Sequence, residues 1–124
     1  MKLEAQVANL ELSRRLKELN VKQDAIFYWV NVYPEQSEPK WVVLPTHNTD
    51  GYILHIKDDE FSAFTAAELG ELLPGLYINV QKVFGHYCSK FIYSEKEIFI
   101  DENTEADARA KVLIHLIETG VITP

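Results

Sequence analysis

The sequence predicts an α+β fold: a single domain in which an antiparallel sheet of five to six short strands carries two to three helices, packed mainly on one face. Three observations predict it. Segments rich in β-branched and aromatic residues recur between turn clusters at residues 24–33, 41–44, 52–56, 76–83, 91–93 and 98–100. Helix-start signals followed by an apolar period near 3.6 residues occur at residues 65–73 and 104–120. The 124 residues, 47% hydrophobic and 25% charged, suit one buried core, and no linker, low-complexity stretch or repeat divides them.

The N-terminal twenty residues carry a conflict of helical phase. Leu3, Val7 and Leu10 share one stripe, whereas Leu12, Leu16 and Leu19 share another on nearly the opposite side. The reading adopted is a helix over residues 10–20 stopped at Asn20, preceded by an arm or helix extension at residues 1–9, with residues 10–124 as the domain proper. The alternative is one helix whose second face meets another subunit.

In residues 24–33 (DAIFYWVNVY), Ile26, Tyr28, Val30 and Val32 alternate with Phe27, Trp29, Asn31 and Tyr33, so both faces of this strand are largely apolar. The turn segment 34–39 leads back into Trp41-Val42-Val43-Leu44, which makes an antiparallel hairpin with a longer loop. Thr65-Ala66-Ala67-Glu68 has the capping-box form and opens a helix that Pro74-Gly75 ends. Residues 76–83 alternate as a strand ended by Gly85, and residues 91–93 and 98–100 form a second hairpin. Thr104 caps the last helix, with Glu105 and Asp107 in its first turn, and Gly120 supplies a left-handed C-terminal cap.

The charge is −7, and six acids (Glu95, Glu97, Asp101, Glu102, Glu105 and Asp107) crowd one stretch against Lys96 alone. Nucleic-acid binding asks for the reverse balance, and the one basic cluster, Arg14, Arg15 and Lys17, reads as a solvated helix face. The acidic run suggests either solubilising surface or a mimic of a phosphate track that blocks a host DNA-acting protein. No apolar run approaches the ~20 residues that cross a bilayer. The first five residues lack the features of a secretory signal, and Cys88 is the only cysteine, which together point to a reducing cytoplasm.

Reactive side chains do not gather. His47, Asp50 and His55 could serve a small metal-dependent hydrolase, yet their spacing matches no compact ligand motif, so neither a metal nor a cofactor is expected. His86 and Cys88 would share a strand face without an oxyanion element or third partner, so no catalytic residue is assigned. Phe27, Trp29, Tyr33 and Trp41 are the candidate binding residues. They form either an exposed aromatic plate or a second layer of core under the N-terminal segment or at a dimer seam, and the second option is preferred.

The strings at residues 61–74 (FSAFTAAELGELLP) and 102–120 (ENTEADARAKVLIHLIETG), with residues 10–30, cover nearly half the chain. In them the chain resembles a group of small proteins, without an assigned activity, encoded in phages, prophages and related mobile regions of bacterial genomes. The resemblance implies a single small domain of mobile-element provenance and supplies no catalytic residues. The expected function is therefore a non-enzymatic protein-binding or accessory role. The expected partner is an unidentified protein, with a homodimer through the N-terminal segment and first hairpin as a further expectation.

Overall fold

The conflict of phase near the N-terminus is resolved by a break at Asn9. The structure, a computed structural model, describes residues 2–35, 37–46, 57–73, 78–93 and 96–124, with residues 78–83, 89, 91–93 and 96–98 described as backbone. Leu3–Ala5 form a single 3-10 turn, Val7 bridges to Thr65, and helix α1 begins afresh at Leu10–Glu18. The Asn9 side chain caps it, its Oδ1 accepting from the Leu12 N–H at 2.9 Å. At the far end Asn20 adopts a left-handed φ of 66°, and the Val21 N–H donates back to the Leu16 carbonyl at 3.0 Å. This is a Schellman stop made with asparagine.

The break lets the two stripes part. Leu3, Val7 and Leu10 pack with Trp29, Val43 and Ala63 in one cluster. Leu12, Leu16 and Leu19 join Phe64, Leu69 and the apolar stripe of the last helix in a larger one. Segment 2–9 is thus laid against its own chain.

After α1 the order is β1 (Phe27–Asn31), β2 (Trp41–Pro45), β3 (Phe61–Ser62), α2 (Ala66–Leu72), β4 (Ile78–Val83), β5 (His86–Tyr93), β6 (Lys96–Glu102) and α3 (Glu105–Glu118). The class is α+β with antiparallel strands, as the sequence predicts. Among the described residues, six strands divide between two sheets, ordered β2-β1-β3 and β4-β5-β6, where the sequence reading placed them in one. Each triplet lies on one side of α2 in the chain, so all pairing stays local. Sequence pattern shows where strands lie but not which of them pair. β3, two residues long, is too short to carry a period of its own. The strand expected at residues 52–56 and the stop at Pro74-Gly75 lie outside the described residues.

The second sheet differs in one further respect. A strand ending at Gly85 and another starting at residue 91 are instead a tight hairpin, with β5 running unbroken from His86. Phe84 and Gly85 both take positive φ, 49° and 82°, as the mirror-image two-residue turn requires.

Helix α3 is the centre of the fold. Thr104 caps it, its Oγ1 accepting from the Asp107 N–H at 3.1 Å, and Gly120 at φ 77° closes it in a second Schellman stop. The capping box of α2 forms as the sequence predicts, with Thr65 and Glu68 exchanging hydrogen bonds. Helix α3 packs against α1, α2 and the strands of the second sheet. No helix among the described residues is long and apolar enough to cross a membrane.

Candidate functional site

The aromatic set is split by the register of the first hairpin. Trp29 lies opposite Val43, and Trp41 lies opposite Asn31, so the two tryptophans are diagonal neighbours on one face. That face is the covered one. Trp29 is buried, and its indole N–H donates to the Ala8 carbonyl at 2.9 Å. Phe27 and Trp41 pack against the same cluster, with Trp41 and Phe61 5.8 Å apart between ring centres. Tyr33 lies beyond the strand end, exposed, with the Lys40 ammonium 6.0 Å from its ring centre. The structure therefore joins Phe27, Trp29 and Trp41 in a second layer of core and leaves Tyr33 outside it.

The opposite face of this sheet carries Ile26, Tyr28, Val30 and Val32 from the β1 segment and Val42 and Leu44 from β2. It is covered at one end only. Near β3, Ser62 and Glu60 are buried, and the Tyr28 hydroxyl pKa is raised by burial and by the Glu60 charge. Elsewhere the cover runs out: Ile26 and Val32, flanking the two ends of β1, are 49% and 39% exposed, and Leu44 of β2 is 39% exposed. The signal for this patch was present in the alternation of residues 26–32, which makes both strand faces apolar. What the sequence could not give was which face the N-terminal segment would cover.

Among the described residues of the acidic run, Glu102, Glu105 and Asp107 are engaged within the fold. Glu102 is ion-paired with Lys111, whose pKa that bond raises, and Glu105 meets Arg109 at 2.8 Å. Asp107 is buried, its Oδ1 accepting from the Asn9 N–H at 2.8 Å. Its carboxyl pKa is raised by burial, against the lowering effect of the Asn9 and Thr104 hydrogen bonds. Asp101 is exposed, and the side chains of Glu95 and Glu97 lie outside the described residues.

His86 and Cys88 do share a strand face, with Asp101 directly opposite Cys88. His86 Nδ1 stands 3.9 Å from Asp101 Oδ1, both side chains more than half exposed. The arrangement is open to water on a sheet surface, a poor setting for activating a thiol. His47, Asp50 and His55 lie outside the described residues, and among the described residues no three His, Cys, Asp or Glu side chains are grouped to hold a metal ion. Lys17 is committed to the fold, its ammonium donating to the Asp58 and Glu60 carbonyls at 2.6 and 2.8 Å.

A groove of about 540 Å³ runs between α1 and α3 beside β6. Its floor is Leu12, Ile100 and Ile114, and its rim is charged. At one end Arg15 is shared by two carboxylates, Glu18 at 3.2 Å and Glu118 at 3.5 Å. Comparison with protein-family models, with curated proteins and with solved structures finds no match to this chain.

Proposed function

We propose that this chain is a non-enzymatic, cytoplasmic protein-binding accessory protein of phage or mobile-element origin, and that it binds its partner through the uncovered face of the first sheet. The observation that carries the reading is the exposure of Ile26, Val32 and Leu44 on one sheet face, with Tyr28, Val30 and Val42 half-buried beside them. Ile26 and Leu44 are diagonal neighbours at one end of this face and Val32 stands at the other, with Tyr28, Val30 and Val42 between them, and an aliphatic strip of this kind on a pleated surface suits the core of a protein interface. The strings at residues 61–74 and 102–120 support the proposed provenance. A nucleic-acid mimic is the weaker reading, because Glu102, Glu105 and Asp107 already spend their charge or their lone pairs inside the fold.

The test is affinity capture from a lysate of the source cells with the wild type and with V32K/L44E as paired baits. Retention of a discrete protein by the wild type and its loss with the variant is the expected result. The same proteins retained by both baits, or none by either, would overturn the assignment of this face.

A further inference from the structure

A bare sheet edge presents a row of N–H and C=O groups that pair readily with another strand, and proteins guard such edges with charge, brevity or proline. Among the described residues the two sheets have four edges. β3 is two residues long, β4 carries Lys82, and β6 carries Lys96, Glu97, Asp101 and Glu102. β2 is the exception. Residues 41–44 (WVVL) hold no charge, and the strand is bounded instead by Pro39 and Pro45.

The ladder shows which groups face outward. The Val32 N–H donates to the Lys40 carbonyl and the Thr46 N–H to the Ile26 carbonyl, both at 2.9 Å, so the even-numbered residues of this strand bond to β1. The backbone of Trp41 and Val43 therefore points to the open side, where no described residue hydrogen-bonds to it. Pro39 and Pro45 stand in the same phase, two residues before Trp41 and two after Val43, and bring no N–H to that side. The edge thus offers two donors, with a proline at each end.

An occupant must match that spacing, and the same strand run antiparallel does. With Val42 on a two-fold axis, Trp41 of each copy lies opposite Val43 of the other, and their four N–H groups meet their four carbonyls. Pro39 then falls opposite Pro45, so the residues without an N–H meet each other where the pairing ends. The neighbouring registers set a proline against Trp41 or Val43, whose carbonyl then finds no donor. The side chains agree with this register. Val42 and Leu44 lie on the uncovered face of the first sheet, half-buried and 39% exposed. Pairing sets Val42 against Val42 of the second copy and Leu44 against the alkyl stem of Lys40, so the aliphatic strips of both copies join on one side of a six-stranded sheet.

We propose that this chain forms a two-fold dimer in which the β2 strands of two copies pair antiparallel about Val42, carrying the first sheet from one subunit into the other. The dimer is made by the backbone edge and leaves the outer face of the sheet open, so it stands or falls independently of the binding face proposed above.

Sedimentation velocity of the intact chain should show a weight-average mass rising from 14.3 kDa toward twice that value, and no further, as concentration approaches about 0.5 mM. V42K sets two ammonium groups against each other on the axis, so it should weaken association about tenfold, as should V42E alone. An equimolar mixture of the two should associate again, which a folding defect would not allow. In a C88S background V42C should oxidise to a disulfide-linked dimer, because opposed residues of a non-hydrogen-bonded pair hold their Cα atoms about 4.5 Å apart, within reach of a disulfide. V43C, opposite Trp41 and not opposite itself, should cross-link far more slowly. A wild type that stays at 14.3 kDa throughout overturns the proposal, whether another segment of the same chain or a foreign strand then takes the edge. Association unchanged by V42K, or V43C cross-linking faster than V42C, would overturn it as well.

Discussion

Gly70 stands inside α2, where glycine weakens a helix by about 1 kcal/mol relative to alanine. Its reason is a neighbour: a Cβ built there would lie 2.3 Å from Arg109 Nη1. That guanidinium donates to the Ala66 carbonyl at 3.1 Å and to Glu105 at 2.8 Å, so it cannot retreat without losing charge-assisted bonds. G70A is expected to lower stability by about 1 kcal/mol, the loss of such bonds outweighing the gain in helix propensity. In an R109A background the same change should become stabilising, and urea unfolding of all four proteins would reveal the change of sign. Asp107 poses a different question of the same scale. Because burial raises its pKa above the ordinary 3.8, ionisation weighs more on the folded chain than on the unfolded one. Its contribution is full below 3.8 and is lost as pH rises through the raised value. D107N keeps an oxygen for the Asn9 N–H but cannot ionise. The stability of the wild type relative to D107N should therefore fall as pH rises from 3.8 and then level off, as denaturation at a series of pH values would record.

Element ends were the part of the structure most legible in sequence. Thr65-x-x-Glu68, Thr104, Asn20 and Gly120 each mark a boundary because capping chemistry is local, depending on residues three to five apart. Pairing between strands was not legible. A split into two sheets turns on which hairpins meet, and β3 is brief enough that only its partner β1 defines it. The turn at Phe84 escaped notice for a related reason: phenylalanine carries none of the local preference for left-handed backbone that reveals such turns. Asparagine at the α1 stop gives the element scale its own test. At a φ of 66°, N20G should stabilise the chain by a few tenths to about 1 kcal/mol, and N20A should destabilise it by a similar amount, both measured by thermal unfolding.

At the scale of the whole molecule, two apolar clusters meet at residues 8 and 9. The Ala8 N–H donates to the Phe64 carbonyl at 2.8 Å, and the Ala8 carbonyl accepts from Trp29 Nε1 and Ser13 Oγ at 2.9 and 3.1 Å. Asn9 caps α1 while holding the Asp107 carboxylate in the first turn of α3. The N-terminal stripe that the sequence left without a home is consumed at this junction, which is why the surplus of apolar surface reappears on the other side of the first sheet. The site was half legible for the same reason. Alternation in residues 26–33 announced two apolar faces, but only the docking of Leu3, Val7 and Leu10 decided that Trp29 would be core and Leu44 surface. The account stands on that uncovered face being free in the isolated chain. Denaturant unfolding of V32K/L44E measures this directly. A stability within about 1 kcal/mol of the wild type is predicted, as for surface positions; a loss of about 3 kcal/mol or more would mean that these side chains are core, and would contradict it.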